Sequence, residues 1–290
     1  MRGRGGLLAV AAVLAAAGIG VAAWLGGGSG SKGHSTTRQS TSPVQRPPVT
    51  LHIIFPEGFT RTDMAQRIDA VRSIAIRKRR VRPRLTASGY LAASVARQAP
   101  PGFKRNPGSR SLEGFLFPAT YDFTKDTTAR ELVADQLAAF RKAFSTVDLH
   151  YARSKNLTSY DVLTIASMIE KEAVVPAERR LIAAVIYNRL HAHMPLGIDA
   201  TIRYGLHIPG TKSLTKAALA SSSPYNTRRF RGLPPTPIAN PGLASIRAAA
   251  HPAHVDYLYF VRKPDKRHHF FTASGQEFLR KACEYGFGCS

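Results

Sequence analysis

The apolar residues of this chain follow two rhythms. Met64, Ile68 and Val71 share one helical face over residues 60–71, and Leu132, Leu137 and Phe140 mark a helix over 127–143. Leu181, Ile182, Val185, Ile186 and Leu190 give a third packing face over 177–190. Between the last two, Thr158 and Asp161 form a capping-box pattern, with Asp161 in the first turn where the helix dipole favours negative charge. Leu163, Ala166, Ile169 and Ala173 then recur at helical spacing, in a stretch that is apolar nearly all round. A further helix closes at 248–251. The second rhythm is that of strands. Residues 50–55 form a short β-branched and apolar run ended by a Pro-Glu-Gly turn. Residues 256–261 and 269–272 read as two strands paired through the polar turn 263–267. Residues 112–123 read as extended or turning, punctuated by Gly114 and Pro118, with Phe115, Phe117, Tyr121 and Phe123 partly alternating as in a buried strand.

Two carboxylates interrupt the apolar helix. Glu170 lies among Leu163, Ala166, Ala173 and Val174, whereas Glu172 sits about 200° further round the axis, beside the bulkier Met168, Ile169 and Val175. The two acids therefore do not share one cleft. Either both merely solubilise the helix, or Glu170 is desolvated and kept protonated, as a general acid near neutral pH requires. The other candidate is the segment 223–241, where Pro224, Pro234, Pro235, Pro237 and Pro241 fix the backbone. Such a loop either is purely structural or holds donors ready for a polysaccharide, with Tyr225 stacking on a sugar face and Asn226 and Thr227 bonding to hydroxyl or N-acetyl groups. An acid in an apolar wall opposite a stiff polar loop suits glycan cleavage.

Several longer motifs then occur in order: FPEGFT (55–60), LEGFLFPATYDF (112–123), ASMIEKEA (166–173), ERRLIAAVIYNRL (178–190), MPLGIDATIRYGL (194–206), SPYNT with GLPPTPIANPG (223–242) and YLYFV (257–261). In these the chain resembles the MltG/YceG-like endolytic murein transglycosylases. The resemblance implies a single catalytic glutamate, the first of the EKE motif, which is Glu170. It implies cleavage without water: the acid protonates the oxygen between N-acetylmuramic acid and the next N-acetylglucosamine, and the muramyl 6-hydroxyl closes a 1,6-anhydro end. Glu113 then becomes a candidate for the cleft wall, and Asn188 and Asp199 join Tyr225, Asn226 and Thr227 as substrate-binding candidates. Asp199 has structural alternatives, since it could equally hold its loop or cap the following turn. The family's YNTY reads YNTR here, with Arg228 in place of an aromatic, and the residues around its motif aspartate are Gly197 and Ala200. These departures bear on substrate preference more than on the reaction. A muramidase-like hydrolase using Asp199 to activate water, and a wall-binding scaffold without activity, are the alternatives.

The expected architecture is α+β: a transmembrane anchor (1–26), a disordered linker (27–48), a small LysM-like subdomain (49–100), itself an implication of the resemblance, and a mixed α/β catalytic domain (101–290). Residues 7–25 are apolar, follow Arg2 and Arg4, and at about 1.5 Å per residue nearly span a core of roughly 30 Å. The arginines place the N-terminus in the cytoplasm and the rest outside a cell membrane. A cleaved signal peptide is the competing reading, because Val21-Ala22-Ala23 resembles a cleavage site. The linker is Gly-, Ser- and Pro-rich with few apolar residues, a flexible tether.

Charge narrows the partners. The 290 residues carry a net charge of +23, with a pI near 10.7. Behind an export segment this points away from nucleic acid and towards peptidoglycan strands and the membrane surface, unless the arginine excess is only a habit of the proteome. The basic run 77–84 is either a solvated face or a contact with such anionic surfaces. Cell-wall synthases are the expected protein partners, and no cofactor is expected. No metal is expected either: His251, His254, Asp256, His268 and His269 lack a zinc spacing, and Pro252 disrupts helical presentation. Outside the cell, Cys283 and Cys289 suit a small disulfide-closed loop.

Overall fold

The computed structural model describes residues 49–103 and 109–287. The expected anchor and linker, and Cys289, lie outside the described residues; Cys283 is disulfide-bonded. Among the described residues no helix is long and apolar enough to cross a membrane.

Strand β1 (Leu51–Ile54) leads into α1 (Arg61–Arg79) through the Pro-Glu-Gly turn. The Thr60 hydroxyl accepts from the Asp63 N–H while the Asp63 carboxylate accepts from the Thr60 N–H, a complete capping box. The helix runs on past Val71 to Arg79, so Arg77, Lys78 and Arg79 occupy its last turn, where the dipole favours positive charge. Arg77 to Arg80, Arg82 and Arg84 are exposed, while Pro83 is buried. Next come α2 (Ala87–Ala93) and β2 (Thr120–Phe123). β2 pairs antiparallel with β1, Leu51 opposite Phe123 and Ile54 opposite Thr120. The boundary expected near residue 100 is therefore bridged, and residues Pro47–Ser290 form one compact unit.

The remaining helices are α3 (Ala129–Phe144), α4 (His150–Ser154), α5 (Ser159–Glu172), α6 (Arg179–His191), α7 (Asp199–Gly205), α8 (Lys216–Leu219), α9 (Leu243–Ala250) and α10 (Gly275–Glu284). Strands β3 (Tyr259–Arg262) and β4 (His269–Thr272) pair antiparallel, Tyr259 opposite Thr272, as a second two-stranded sheet. The α+β class holds, with helices supplying most of the core.

Helix α5 is the axis of that core. Every residue from Val162 to Ile169 is buried, against α6 on one side and α9 on another. Ala248, Ala249 and Ala250 let α9 lie close. Burial on all sides explains why the sequence of α5 lacks a polar face.

Candidate active site

Glu170 stands on the last turn of α5, where the buried helix reaches the surface, and is half-buried. Its Oε2 accepts a hydrogen bond of 3.0 Å from the Gly242 N–H. Gly242 is the N-cap of α9, so an N–H left unpaired at that helix start is spent on Glu170. Three residues earlier on α5, Ser167 Oγ accepts from the Ile238 N–H at 3.0 Å and donates to Thr164 O. Ser167 and Glu170 thus form one stripe, and the Pro-rich segment is laid along it.

The Pro-Glu-Gly turn closes the other side. Gly58, at φ +77°, adopts a conformation only glycine reaches without strain, and a Cβ there would lie 3.5 Å from Glu170 Cγ. Lys171 Nζ donates to Gly58 O at 3.2 Å. Glu57 is exposed, with its carboxylate against Gly242; partial burial and the charge of Glu170 hold it above the ordinary carboxylate range, against the pull of Arg179. The surroundings of Glu170 thus differ from the apolar wall expected. They are a backbone N–H, a glycine turn and a second carboxylate.

Beneath this lies a buried knot centred on Asn240. Its Oδ1 accepts from the N–H groups of Gly114 and Leu116, both at 2.9 Å, and its Nδ2 donates to Phe59 O and to Glu113 Oε1. Glu113 also accepts from the Arg61 N–H and from the Tyr204 hydroxyl. At 5% exposure it cannot wall a cleft; it ties α1, α7 and the loop at Asn240 together. Burial pushes its carboxyl up to about 7, against the Arg61 and Tyr204 bonds.

Two of the three loop candidates also change role. Asn226 is fully buried and donates to Leu219 O and Ser221 O, while Thr227 Oγ1 accepts from the Ile198 N–H and meets Thr201 Oγ1. With no exposed surface to offer a sugar, both hold their loop in shape. Tyr225 is half-buried, with its ring 5.2 Å from that of Tyr204 and its hydroxyl 2.8 Å from Thr236 Oγ1. Asn188 spends its amide on Val255 O and Tyr257 O. Asp199 opens α7 rather than lying in a loop, and Arg228, the departure from YNTY, binds it at 2.7 Å.

Glu172 belongs to that second neighbourhood, apart from the Glu170 stripe. Its carboxylate lies 3.6 Å from Arg262 of β3, and its side chain is 14% exposed. Burial pushes it up to about 7, against Arg262 and the Ala200 N–H. Among the histidines, His269 is buried on Glu178 and His268 is bonded to Asp265. Among the described residues no group of three His, Cys, Asp or Glu is placed to hold a metal.

These shifts have a consequence for stability. Glu113 and Glu172 both titrate in the folded state near 7, above the ordinary 4.5, so the folded protein holds protons the unfolded chain has released. Their contribution is fully present below about pH 4.5 and is lost as pH rises through about 7. Across that window these two groups pull the thermal midpoint down, against the buried His269, whose imidazole burial holds below its ordinary value. Glu113→Gln, neutral at every pH, should make the midpoint fall less, or rise more, between about pH 5 and 8 than in the wild type, and an unchanged pH dependence would contradict this.

Nothing in the sequence marks Glu57, Ser167, Asn240 or Gly242 as parts of the site, although all four fall in motifs that carry the family resemblance. The comparisons agree with that resemblance. A family model described as the YceG-like family matches residues 32–284. The endolytic murein transglycosylase of Streptococcus pneumoniae (strain ATCC BAA-255 / R6) is 33% identical over 257 residues, covering 82% of this chain and 45% of that protein. The endolytic murein transglycosylase of Bacillus subtilis (strain 168) is 42% identical over 153 residues, covering 52% of this chain and 42% of that protein. The chain spans less than half the length of these two relatives. The crystal structure of a yceG-like protein from Listeria monocytogenes superposes with a TM-score of 0.65 at 28% identity, over 79% of this chain and 75% of that one. A match running from before the first described strand into the last helix, with a solved relative of the same fold, leaves one conclusion: the chain belongs to the YceG-like family.

Proposed function

We propose that this protein is an endolytic peptidoglycan lytic transglycosylase, which cuts the bond between N-acetylmuramic acid and N-acetylglucosamine within glycan strands and leaves 1,6-anhydro ends. The observation that carries the proposal is the setting of Glu170, a half-buried carboxylate at the end of a buried helix, held by the Gly242 N–H and open on one side. Glu170 donates its proton to the glycosidic oxygen, and the bond from that oxygen to the muramyl anomeric carbon breaks as positive charge grows on the ring. The 6-hydroxyl of the same residue then attacks that carbon, and its proton passes to the Glu170 carboxylate. One carboxylate serves as acid and then as base. A hydrolase using Asp199 to activate water is less well supported, because Asp199 is bound to Arg228 and neighbours Glu172. Mass spectrometry of muropeptides after digestion of purified wall with the full-length protein tests the proposal. Anhydro ends are expected; reducing ends alone would make it a hydrolase, and no new ends a binding protein.

The N-terminal segment is proposed as an uncleaved anchor, with the catalytic part outside the membrane and close to cell-wall synthases, where cleavage ends the growth of nascent strands. The protein should stay in membranes after a high-salt wash, and recovery of a soluble form beginning near Trp24 would refute the anchor. For the LysM-like reading, the support is the run β1, α1, α2, β2, in which two paired strands enclose two helices. Its end would then fall at Phe123.

A further inference from the structure

We propose that Glu57 is a second carboxylate of the reaction centre, facing the muramyl unit beside Glu170 and stabilising the positive charge that grows at its anomeric carbon. The inference rests on the transglycosylase reading above and assigns a role to a residue outside the catalytic helix. Three observations carry it.

The first is availability. Glu113, Glu172 and Glu178 are buried or nearly so and spend their carboxylates on neighbours of their own chain. Glu57 is exposed, and among the described residues no hydrogen bond or ion pair engages its carboxylate. The second is placement. Gly242, whose N–H holds Glu170, is also the residue against which the Glu57 carboxylate rests, so one glycine touches both acids. The third is the glycine itself. Its φ of −75° is open to any residue, yet a Cβ at that position would lie 1.8 Å from Glu57 Oε1. Space for the carboxylate is what position 242 provides.

The charged groups around Glu57 agree with such a role. Glu170 acts on it from α5 and Arg179 from the start of α6, Lys171 spends its ammonium on the neighbouring Gly58 O, and Gly242 presents only backbone. On α1, Arg61 turns to Ser94 and Leu91 O, and Asp63 to Thr60. Burial and the charge of Glu170 hold Glu57 above the ordinary carboxylate range, against Arg179. The ionised form is the one that stabilises a cation, so activity should fall as pH drops through this raised value. Glu57 transfers no proton in this scheme; bond breaking and closure remain as described for Glu170. A negative charge placed beside a developing cation acts in the transition state and leaves substrate binding nearly untouched.

The test is kinetic, on uncrosslinked glycan strands with the full-length protein. Glu57→Gln should lower kcat by about 100-fold with KM within about twofold, and should remove the acid limb of the pH profile. Glu57→Asp should recover part of kcat. Gly242→Ala keeps the carboxylate but occupies its place, and should lower kcat to a similar degree in a folded protein. A Glu57→Gln variant with wild-type kcat and an unchanged pH profile overturns the proposal, as does a loss confined to KM or one that tracks a lowered thermal midpoint. Glu170→Gln and analysis of the product ends, run alongside, judge the transglycosylase reading separately: reducing ends would end that reading, while the kinetics still decide the role of Glu57.

Discussion

Glu170→Gln should abolish cleavage, with a loss of about 1,000-fold or more, while the fold and the binding of glycan persist. A general acid contributes roughly 100- to 10,000-fold, and here the same group must also take back the proton of the attacking hydroxyl. The amide matches the carboxylate in size, and its oxygen can still accept from the Gly242 N–H that holds Glu170 Oε2. What it lacks is a proton acidic enough to transfer. Glu172→Gln is the control. Its carboxylate lies across the helix among Arg262, Asp199 and the Ala200 N–H, and a neutral amide there relieves the cost of a buried charge. That variant should keep most of its activity. Rates of anhydro-end release by both variants decide the matter. Near wild-type release by Glu170→Gln, with loss in Glu172→Gln, would mean that the working acid is the other one.

How much of this was legible in the sequence depended on whether the signal was local. The capping box at Thr158 and Asp161 placed the start of α5 correctly, because all its partners lie within one turn. The pairing of β3 with β4 was readable for the same reason, through the short polar turn between them. Side-chain direction in an irregular segment carries no such signal. Asn226 and Thr227 look in sequence like donors offered to a ligand, yet both point inward, because a loop without backbone ladders must satisfy its own N–H and C=O groups. The resemblance makes Glu113 a candidate for the cleft wall, yet its partners Asn240 and Tyr204 lie far along the chain, and no periodicity predicts them. Glu57 was hidden by its turn. Pro-Glu-Gly reads as punctuation, and only the packing of that turn on the end of α5 brings the glutamate beside Glu170.

Asn240→Ala should be among the most destabilising single changes in the protein, by about 4 kcal/mol, since a buried group that loses its partner costs roughly 1–3 kcal/mol. The side chain satisfies the N–H groups of Gly114 and Leu116, and alanine would strand both where water has little access, whereas Phe59 O keeps the backbone N–H of residue 240 and the Glu113 carboxylate keeps the Arg61 N–H and the Tyr204 hydroxyl. Gly114 cannot shift to compensate: at φ +90° it lies so close to Pro237 that even an added Cβ would sit 2.6 Å from that ring. For a unit of this size the loss corresponds to a fall in thermal midpoint of about 10 °C. It also reaches the reaction, because Asn240 is two residues before Gly242 and its carbonyl holds the Gly58 N–H. The knot thus fixes both sides of Glu170, the loop that bonds it and the turn that packs on it. Below its melting transition, Asn240→Ala should therefore also lose more in kcat than in KM. The loss should be larger near pH 8 than near pH 5, because a Glu113 deprived of Asn240 is harder to keep ionised. Thermal melts and strand-cleavage rates at the two pH values measure both effects, and a midpoint within 2 °C of wild type would show that the knot does not hold the site.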